Sequence, residues 1–460
     1  MIATRTARSG ASSSARQVGA RVAQPQAARN ARHDVHAAHV HAADTRISRT
    51  EQSQDSWTRE IRLLVPVSDP DRWQAAAFTL TRTLGFLTGD RWAVGFRRRP
   101  ERFASLTTPP AMLLPPPFDA VSLFSGGLDS LIGAIDLLED GRTPLLISHA
   151  GEGATSDAQN SLFGKLKHRY SGSSFDRLRV WMTFPDGLVK DVGSESTTRG
   201  RSFLFFALGV FAGTGLGSNF VLRVPENGLI ALNVPLDPLR LGSNSTRTTH
   251  PFYITRWNDL LVELGIDGRV ENPYWDRTKG EMAAACANGP VLGTLAADSL
   301  SCSSPSKGRW QGRGIEHCGY CLPCLIRRAA LDAAWELVKD WTADEREALR
   351  NAVPKTALQT PFRDTTVQHI ARDVLQIARK GLRARRRINA ASQDEAIYLD
   401  PLDEVAEEGH GGADAAVRLP GDPQELAQRD RPRSRCLLGS DPLQLLHHLQ
   451  RHGIAPERPL

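Results

Sequence analysis

The chain has 460 residues, 40% of them hydrophobic and 23% charged, enough for two or three domains of ordinary globular composition. No stretch approaches the ~20 apolar residues of a membrane span, and the longest apolar run, 203–212, reads as a buried helix. The net charge of +6 sits in residues 1–50, which hold eight Arg, no Lys and two Asp; the rest sums to zero, which argues against direct nucleic-acid binding.

Residues 1–55 are rich in Ala, Arg, Ser, Gln and His and poor in large apolar side chains, the composition of a disordered extension. The segment overlaps with an organelle transit peptide and lacks the apolar region of a secretory signal. His33, His36, His39 and His41 in such a tail make at most a weak metal site. Residues 56–108 read as a small α/β unit: a strand over 62–67, a helix capped by Asp69 or Asp71 and running to Leu87, and a strand over 91–96. Pro109, Pro110, Pro115, Pro116 and Pro117 mark a stiff linker over 109–118.

From Asp119 strands and helices alternate, which predicts a parallel sheet. Strands are expected at 119–124, 144–149, 177–184 and 219–224, and helices at 129–139, 156–169 and 200–213. Between the first strand and its helix lies Ser125-Gly126-Gly127-Leu128-Asp129-Ser130. Backbone N–H groups at a helix N-terminus can face an anion, and glycines let phosphate oxygens approach the backbone. Asp129 would repel phosphate; its expected task is to hold Mg²⁺. The string is not a Walker loop, which has four residues between its glycines and then Lys-Ser/Thr. Ser148 and His149 end the next strand on the same edge and are candidate adenine contacts. Further helices are expected at 251–264, 279–287, 325–339, 342–352 and 364–385, with a short one at 443–449. The basic run 379–387 is followed by the acidic stretch 394–408, the pattern of a solvated face.

Of six cysteines, Cys286 and Cys436 are isolated, and Cys302, Cys318, Cys321 and Cys324 cluster. Two-residue gaps let thiolates converge on one ion, and Gly319 and Pro323 supply turns. Four thiolates with no open position describe a structural zinc site, with an iron–sulfur cluster or unmetallated thiols as the alternatives.

The turn at 125–130 resembles the PP-loop of the ATP pyrophosphatase superfamily. In chain order it is followed by Gly200-Arg201-Ser202, Thr278-Lys279-Gly280-Glu281-Met282, Ser301-Cys302, and Cys318-Gly319-Tyr320-Cys321-Leu322-Pro323-Cys324 with Arg327 and Ala329. This succession resembles QueC, the 7-cyano-7-deazaguanine synthase family, over roughly residues 118–335. Ser202 stands where that family has Asn, and the loops over 225–236 and 245–251 differ. Size and loops are similar to the QueC-like members (QatC) of the Qat anti-phage defence systems.

The resemblance implies a Rossmann-like (HUP/PP-loop) α/β fold with helices on both faces of a parallel sheet. It further implies a zinc-binding tail in a domain over 119–340, and a helical or irregular extension over 341–460. It implies a cytoplasmic, AMP- and pyrophosphate-forming carbon–nitrogen ligase. That enzyme would adenylate a 7-carboxy-7-deazaguanine-like substrate and couple it to ammonia or another amine. Ser125, Gly126, Gly127, Leu128, Asp129 and Ser130 would hold ATP and Mg²⁺. Asp129, Ser130, Arg201 and Lys279 would be catalytic, and Asn227, Arg247 and His250 would meet substrate. Cys302, Cys318, Cys321 and Cys324 would hold Zn²⁺. Expected partners are the deazapurine and proteins of a defence system, with no membrane. Two alternatives stay open: a nucleotide-binding assembly subunit with little turnover, and an RNA-thiolating enzyme, for which Cys286 is the one candidate catalytic thiol.

Overall fold

Two parallel sheets organise the chain. The computed structural model describes residues 34–53, 57–100, 118–150, 153–197, 199–216, 219–233, 247–303, 305, 317–318, 321–337 and 342–344. All lie in one of the chain's two units, Met1–Pro235 with Ser245–Arg372.

Helix α1 (Asp34–Arg46) and the short α2 (Arg49–Gln52) open the described part. They correct the expectation of a disordered extension through residue 55. Ala37, Val40 and Ala43 of α1 are buried, and Asp44 is fully buried as an ion-pair partner of Arg59. Small residues and a paired charge dock this helix, so composition alone does not reveal it.

Strand β1 (Glu60–Val67) pairs in parallel with β2 (Arg91–Arg98), Glu60 opposite Arg91. Its alternating burial follows from side chains pointing to opposite faces at successive residues. The crossover is α3 (Pro70–Ala75) and α4 (Ala77–Thr88). Asp69, rather than Asp71, caps α3 by accepting from the Arg72 N–H, and Gly89 ends α4 in the left-handed region at φ 74°.

The larger sheet contains β3 (Ala120–Leu123), β4 (Pro144–Ala150), β5 (Asp176–Trp181), β6 (Phe220–Arg223) and β7 (Gly268–Glu271), all parallel, in the order β5-β4-β3-β6-β7. The connecting helices are α5 (Leu128–Glu139), α6 (Gly153–Arg169), α7 (Arg199–Leu216), α8 (Gly228–Ala231) and α9 (Pro251–Glu263). After β7 come α10 (Lys279–Ala284), α11 (Gly289–Leu295) and α12 (Leu322–Leu337). The four expected strands are present. β7 is an addition that the pattern missed, because Gly268-Arg269-Val270-Glu271 carries one apolar residue. The helix expected over 279–287 ends at Ala284, and α11 follows after an Asn288 cap.

The central strands β3 and β4 are buried on both faces, as a parallel sheet covered by helices requires, while β5 at the edge carries exposed residues. Val121, Leu123, Leu145 and Ile147 join one apolar cluster with α1, β1, α4, α7 and α9. Phe124 and Leu146 join another with α5, α6, α10 and α11. The strand order turns back at β3, with β4 on one side and β6 on the other, which makes a crevice at the carboxyl ends of the strands.

Among the described residues no helix is long and apolar enough to cross a membrane. Most of the linker over 109–118, the helices expected at 364–385 and 443–449, Cys436 and nearly all of 342–352 lie outside the described residues.

Candidate active site

The glycine-rich turn lies at the carboxyl end of β3, next to that reversal. Gly126 has φ +87°, which favours glycine, and a Cβ there would stand 3.0 Å from Gln159 Cγ. Gly127 is the N-cap of α5 and supplies no side-chain cap; the Leu128 N–H meets Ser301 Oγ at a long 3.5 Å. The Gly127 N–H donates to Ser125 Oγ at 3.3 Å, Ser125 Oγ donates to Ser130 Oγ at 3.2 Å, and Ser130 Oγ donates to the Gly127 carbonyl at 2.9 Å.

Neighbouring segments hold the turn from two sides. Gln159 Nε2 of α6 donates to the Ser125 and His149 carbonyls at 3.2 and 3.3 Å. The Leu300 N–H donates to the Gly126 carbonyl at 2.8 Å. Ser148 Oγ donates to the Phe124 carbonyl at 2.8 Å, so this expected adenine contact serves to tie β4 to β3. His149 accepts at Nδ1 from Arg201 Nε at 3.1 Å. Burial, then Arg201, then His41 lower His149 to a pKa of about 3, so it is a neutral acceptor at pH 7.

Beneath the turn is a buried charge cluster. Asp129 Oδ1 accepts from Lys279 Nζ at 2.5 Å, and Oδ2 accepts from the Asn227 N–H at 3.1 Å and from Asn227 Nδ2 at 2.8 Å. The packing that allows this is close: a Cβ on Gly133 would stand 2.5 Å from Pro225 Cγ, so α5 and the β6–α8 loop meet at van der Waals contact. Lys279 opens α10 behind a Thr278/Glu281 capping box, which fixes its backbone. Burial opposes ionisation of Asp129, but Lys279 and hydrogen bonds from Glu226, Lys279 and Asn227 prevail and hold its pKa below the usual carboxylate range. Burial and the Asp129 charge push Glu226 well above that range. Within the pair the negative charge is therefore favoured on Asp129, beside Lys279, and the proton on Glu226. Glu226 and Gln159 are site residues that the sequence reading missed; nothing local in Pro225-Glu226-Asn227 marks them.

Not all expected site residues gather here. Asn227 is engaged twice, donating to Asp129 and capping α8 through the Ile230 N–H. Arg247 donates to the Phe86 carbonyl at 3.1 Å and lies over the Phe86 ring. His250 caps α9 by accepting from the Phe252 N–H, its ring 5.1 Å from that of Phe86. These contacts place Arg247 and His250 against α4, where they serve packing and capping.

The four clustered thiols converge within 4.8 Å of one another. Cys302 Sγ and Cys321 Sγ are 3.8 Å apart, and Cys318 Sγ and Cys324 Sγ are 3.9 Å apart. A tetrahedral ion with Zn–S bonds of about 2.3 Å sets its sulfurs about 3.8 Å apart, so the donor set fits zinc in type, number and spacing. His317 is turned away, accepting the Ser301 N–H at Nε2. Cys286 is buried and its thiol is pushed up by burial first and Asp136 second, unsuited to a catalytic thiolate.

Comparison with known proteins points to a family other than the one the motifs resemble. The model of glutamate-cysteine ligase family 2 (GCS2) matches residues 320–432. The chloroplastic glutamate–cysteine ligase of Arabidopsis thaliana is 46% identical over 90 residues, 20% of this chain and 16% of that enzyme. Those of Nicotiana tabacum and Solanum lycopersicum are each 37% identical over 95 residues, 21% of this chain and 17% of each enzyme. The chain thus spans less than a fifth of the length of these relatives, and most of the matched segment lies outside the described residues. These matches overturn the QueC and PP-loop assignment, the deazapurine substrate and the anti-phage partners. The physical reason is that a phosphate-compatible strand–turn–helix and a four-thiolate spacing are short local solutions, which report chemistry and not ancestry.

Proposed function

We propose that the chain is an ATP-dependent ligase that joins a carboxylate to an amine, with glutamate and cysteine as the substrate pair. Support for the substrates comes from the matched segment 320–432 and the names of the relatives. Support for the nucleotide comes from the turn Ser125–Ser130 at the carboxyl edge of the sheet. One observation joins them: α12 lies inside the matched segment, and its Arg327 donates to Ser299 and Ser301 of the strap that holds the turn.

In this reading the N–H groups of Gly127, Leu128 and Asp129 receive phosphate oxygens together with the Ser125 and Ser130 hydroxyls, the first two exchanging long contacts with Ser125 and Ser301 for the anion. Lys279 offsets charge that develops on the phosphates, held in place by Asp129. Mg²⁺ would be held by Asp129 and Glu226. An ionised carboxylate offers about four acceptor directions; on Asp129 three are filled by Lys279 and Asn227 and the fourth by protonated Glu226, so the ion would take the place of the Glu226 proton. Arg201, held by His149 at the carboxyl edge of β4, is a candidate for the substrate carboxylate. Cys302, Cys318, Cys321 and Cys324 would hold Zn²⁺ in a structural role. The relatives are named chloroplastic, so a plastid address is proposed in place of the expected cytoplasmic one.

Incubation of the full chain with ATP, Mg²⁺, glutamate and cysteine tests the reading. Consumption of ATP with a glutamyl–cysteine product is the expected result. Nucleotide consumption only with other carboxylate–amine pairs would replace the substrates, and absence of MgATP binding would sink the ligase reading. Lys279→Met is expected to lower MgATP affinity by about tenfold or more, the loss of one charged hydrogen bond.

A further inference from the structure

The strap over 299–302 links the cysteine cluster to the glycine-rich turn, and a buried cation fastens it. Arg327, one turn beyond Cys324, is fully buried. Its NH1 donates to Ser299 Oγ at 2.8 Å and Ser301 Oγ at 3.4 Å, and its NH2 donates to the Ala296 carbonyl at 2.5 Å. None of these acceptors is charged. A buried guanidinium without a hydrogen-bonded carboxylate is costly, and tying three neutral oxygens does not require a charge. Asp129, at the first turn of α5, is ionised and lies within its field. The strap it grips runs directly onto the turn. Ser301 Oγ accepts from the Leu128 N–H at 3.5 Å, and the Leu300 N–H donates to the Gly126 carbonyl at 2.8 Å. Cys302, the next residue, enters the cluster.

We propose that Arg327 is a positioning residue that couples the four-cysteine centre to the glycine-rich turn, so that an assembled centre holds the turn in its anion-binding shape. The guanidinium orients Ser299 and Ser301, and the strap presents the Leu300 N–H to Gly126. It also places a positive charge behind the N-terminus of α5, where an anion would sit in front. The proposal rests on the nucleotide reading of the turn only for its affinity measurement; the structural coupling is measured without nucleotide.

The test uses the full chain with Arg327→Gln, Arg327→Lys and Ser301→Ala, each assayed for bound metal, amide exchange over 125–130 and MgATP affinity. Arg327→Gln loses the charge and the fork that reaches all three oxygens, keeping a single shorter amide donor. It is expected to retain metal, to speed exchange at Gly126–Ser130 by about tenfold and to weaken MgATP by a similar factor. Arg327→Lys keeps charge without the planar fork and is expected to lose less affinity than Arg327→Gln. Ser301→Ala preserves every cysteine and the arginine, and is expected to speed exchange at Leu128 selectively. Unchanged exchange over 125–130 in both Arg327→Gln and Ser301→Ala would overturn the coupling, and so would equal loss of affinity in the Gln and Lys variants. Should Arg327→Gln fail to fold, Ser301→Ala decides alone. Should the parent bind no MgATP, the ligase reading falls, and the exchange results still decide the coupling.

Discussion

Two buried charge clusters sit in the same unit and are built on opposite rules. The first joins α1, β1 and the turn before β2. Arg59 donates to Asp44 Oδ1 at 2.7 Å and to Asp90 Oδ2 at 2.6 Å, Arg49 donates to Asp90 at 2.7 Å, and the Gly200 N–H at the start of α7 donates to Asp44 at 2.6 Å. Two guanidinium groups face two carboxylates, and a helix N-terminus takes up a remaining lone pair. The second cluster sets two carboxylates, Asp129 and Glu226, against the single cation Lys279. The balanced cluster is a clamp. The unbalanced one must keep a proton or acquire a cation, which is the condition of a site awaiting a ligand.

Breaking the clamp should give the largest effect on stability. Arg59→Met leaves Asp44 and Asp90 buried without a shared partner and is expected to destabilise the fold by about 3–5 kcal/mol. Chemical denaturation checks it, and a change below about 1 kcal/mol would remove the distinction between the clusters. Lys279→Met should cost less stability, because Asp129 can take up a proton in its place.

A pH series sharpens the comparison from the other side. Glu226 is held protonated above the usual carboxylate range, so a divalent cation must displace that proton. Mg²⁺ affinity is therefore expected to rise with pH, by up to about tenfold per unit while Glu226 titrates. Calorimetric titration of Mg²⁺ at several pH values checks this, and Glu226→Gln should flatten the dependence. The same raised value means that the folded state holds a proton that the unfolded state has released. Glu226 thus lowers stability as pH rises from the ordinary carboxylate range through its folded value. The buried histidines act in the opposite direction. His41, His149 and His250 are lowered to about 4, 3 and 4, chiefly by burial. Their contribution is complete above the unfolded value near 6.5 and is lost as pH falls toward those folded values, at most about 1.4 kcal/mol per unit for each. Thermal midpoints should accordingly drop below pH 6.5, and a flat profile between pH 6.5 and 5 would contradict the burial of these rings.

How much of this was legible in the sequence depends on the range of the interactions. Strand and helix positions from β3 to β6 follow from local alternation, and the structure places them within a few residues of expectation. The turn is equally local, since Gly126 sits at φ +87°, where the backbone favours glycine. Partners from distant segments left no local mark. Glu226 reaches Asp129 because Pro225 packs onto Gly133, and α1 forms because Asp44 finds Arg59 and Gly200 across the chain. The cysteine spacing marked a cluster able to hold a metal ion, but the ancestry read from it failed, since tetrahedral thiolate geometry constrains spacing in any family.

The smallest expected effect tests where the site ends. Sequence position set Arg247 and His250 among substrate residues; the structure gives His250 the N-cap of α9 and a ring contact with Phe86. His250→Ala removes a cap and an aromatic contact, which together are expected to cost about 1–2 kcal/mol. It touches neither the turn nor Asp129, Glu226 and Lys279, so MgATP affinity should stay within about twofold of the parent, a difference of about 0.4 kcal/mol. Loss of stability with unchanged affinity assigns His250 to the clamp side of the molecule. A tenfold loss of affinity with unchanged stability would extend the unbalanced cluster's territory across α7 to the loop before α9, and the contrast between the two clusters would no longer map onto structure and function.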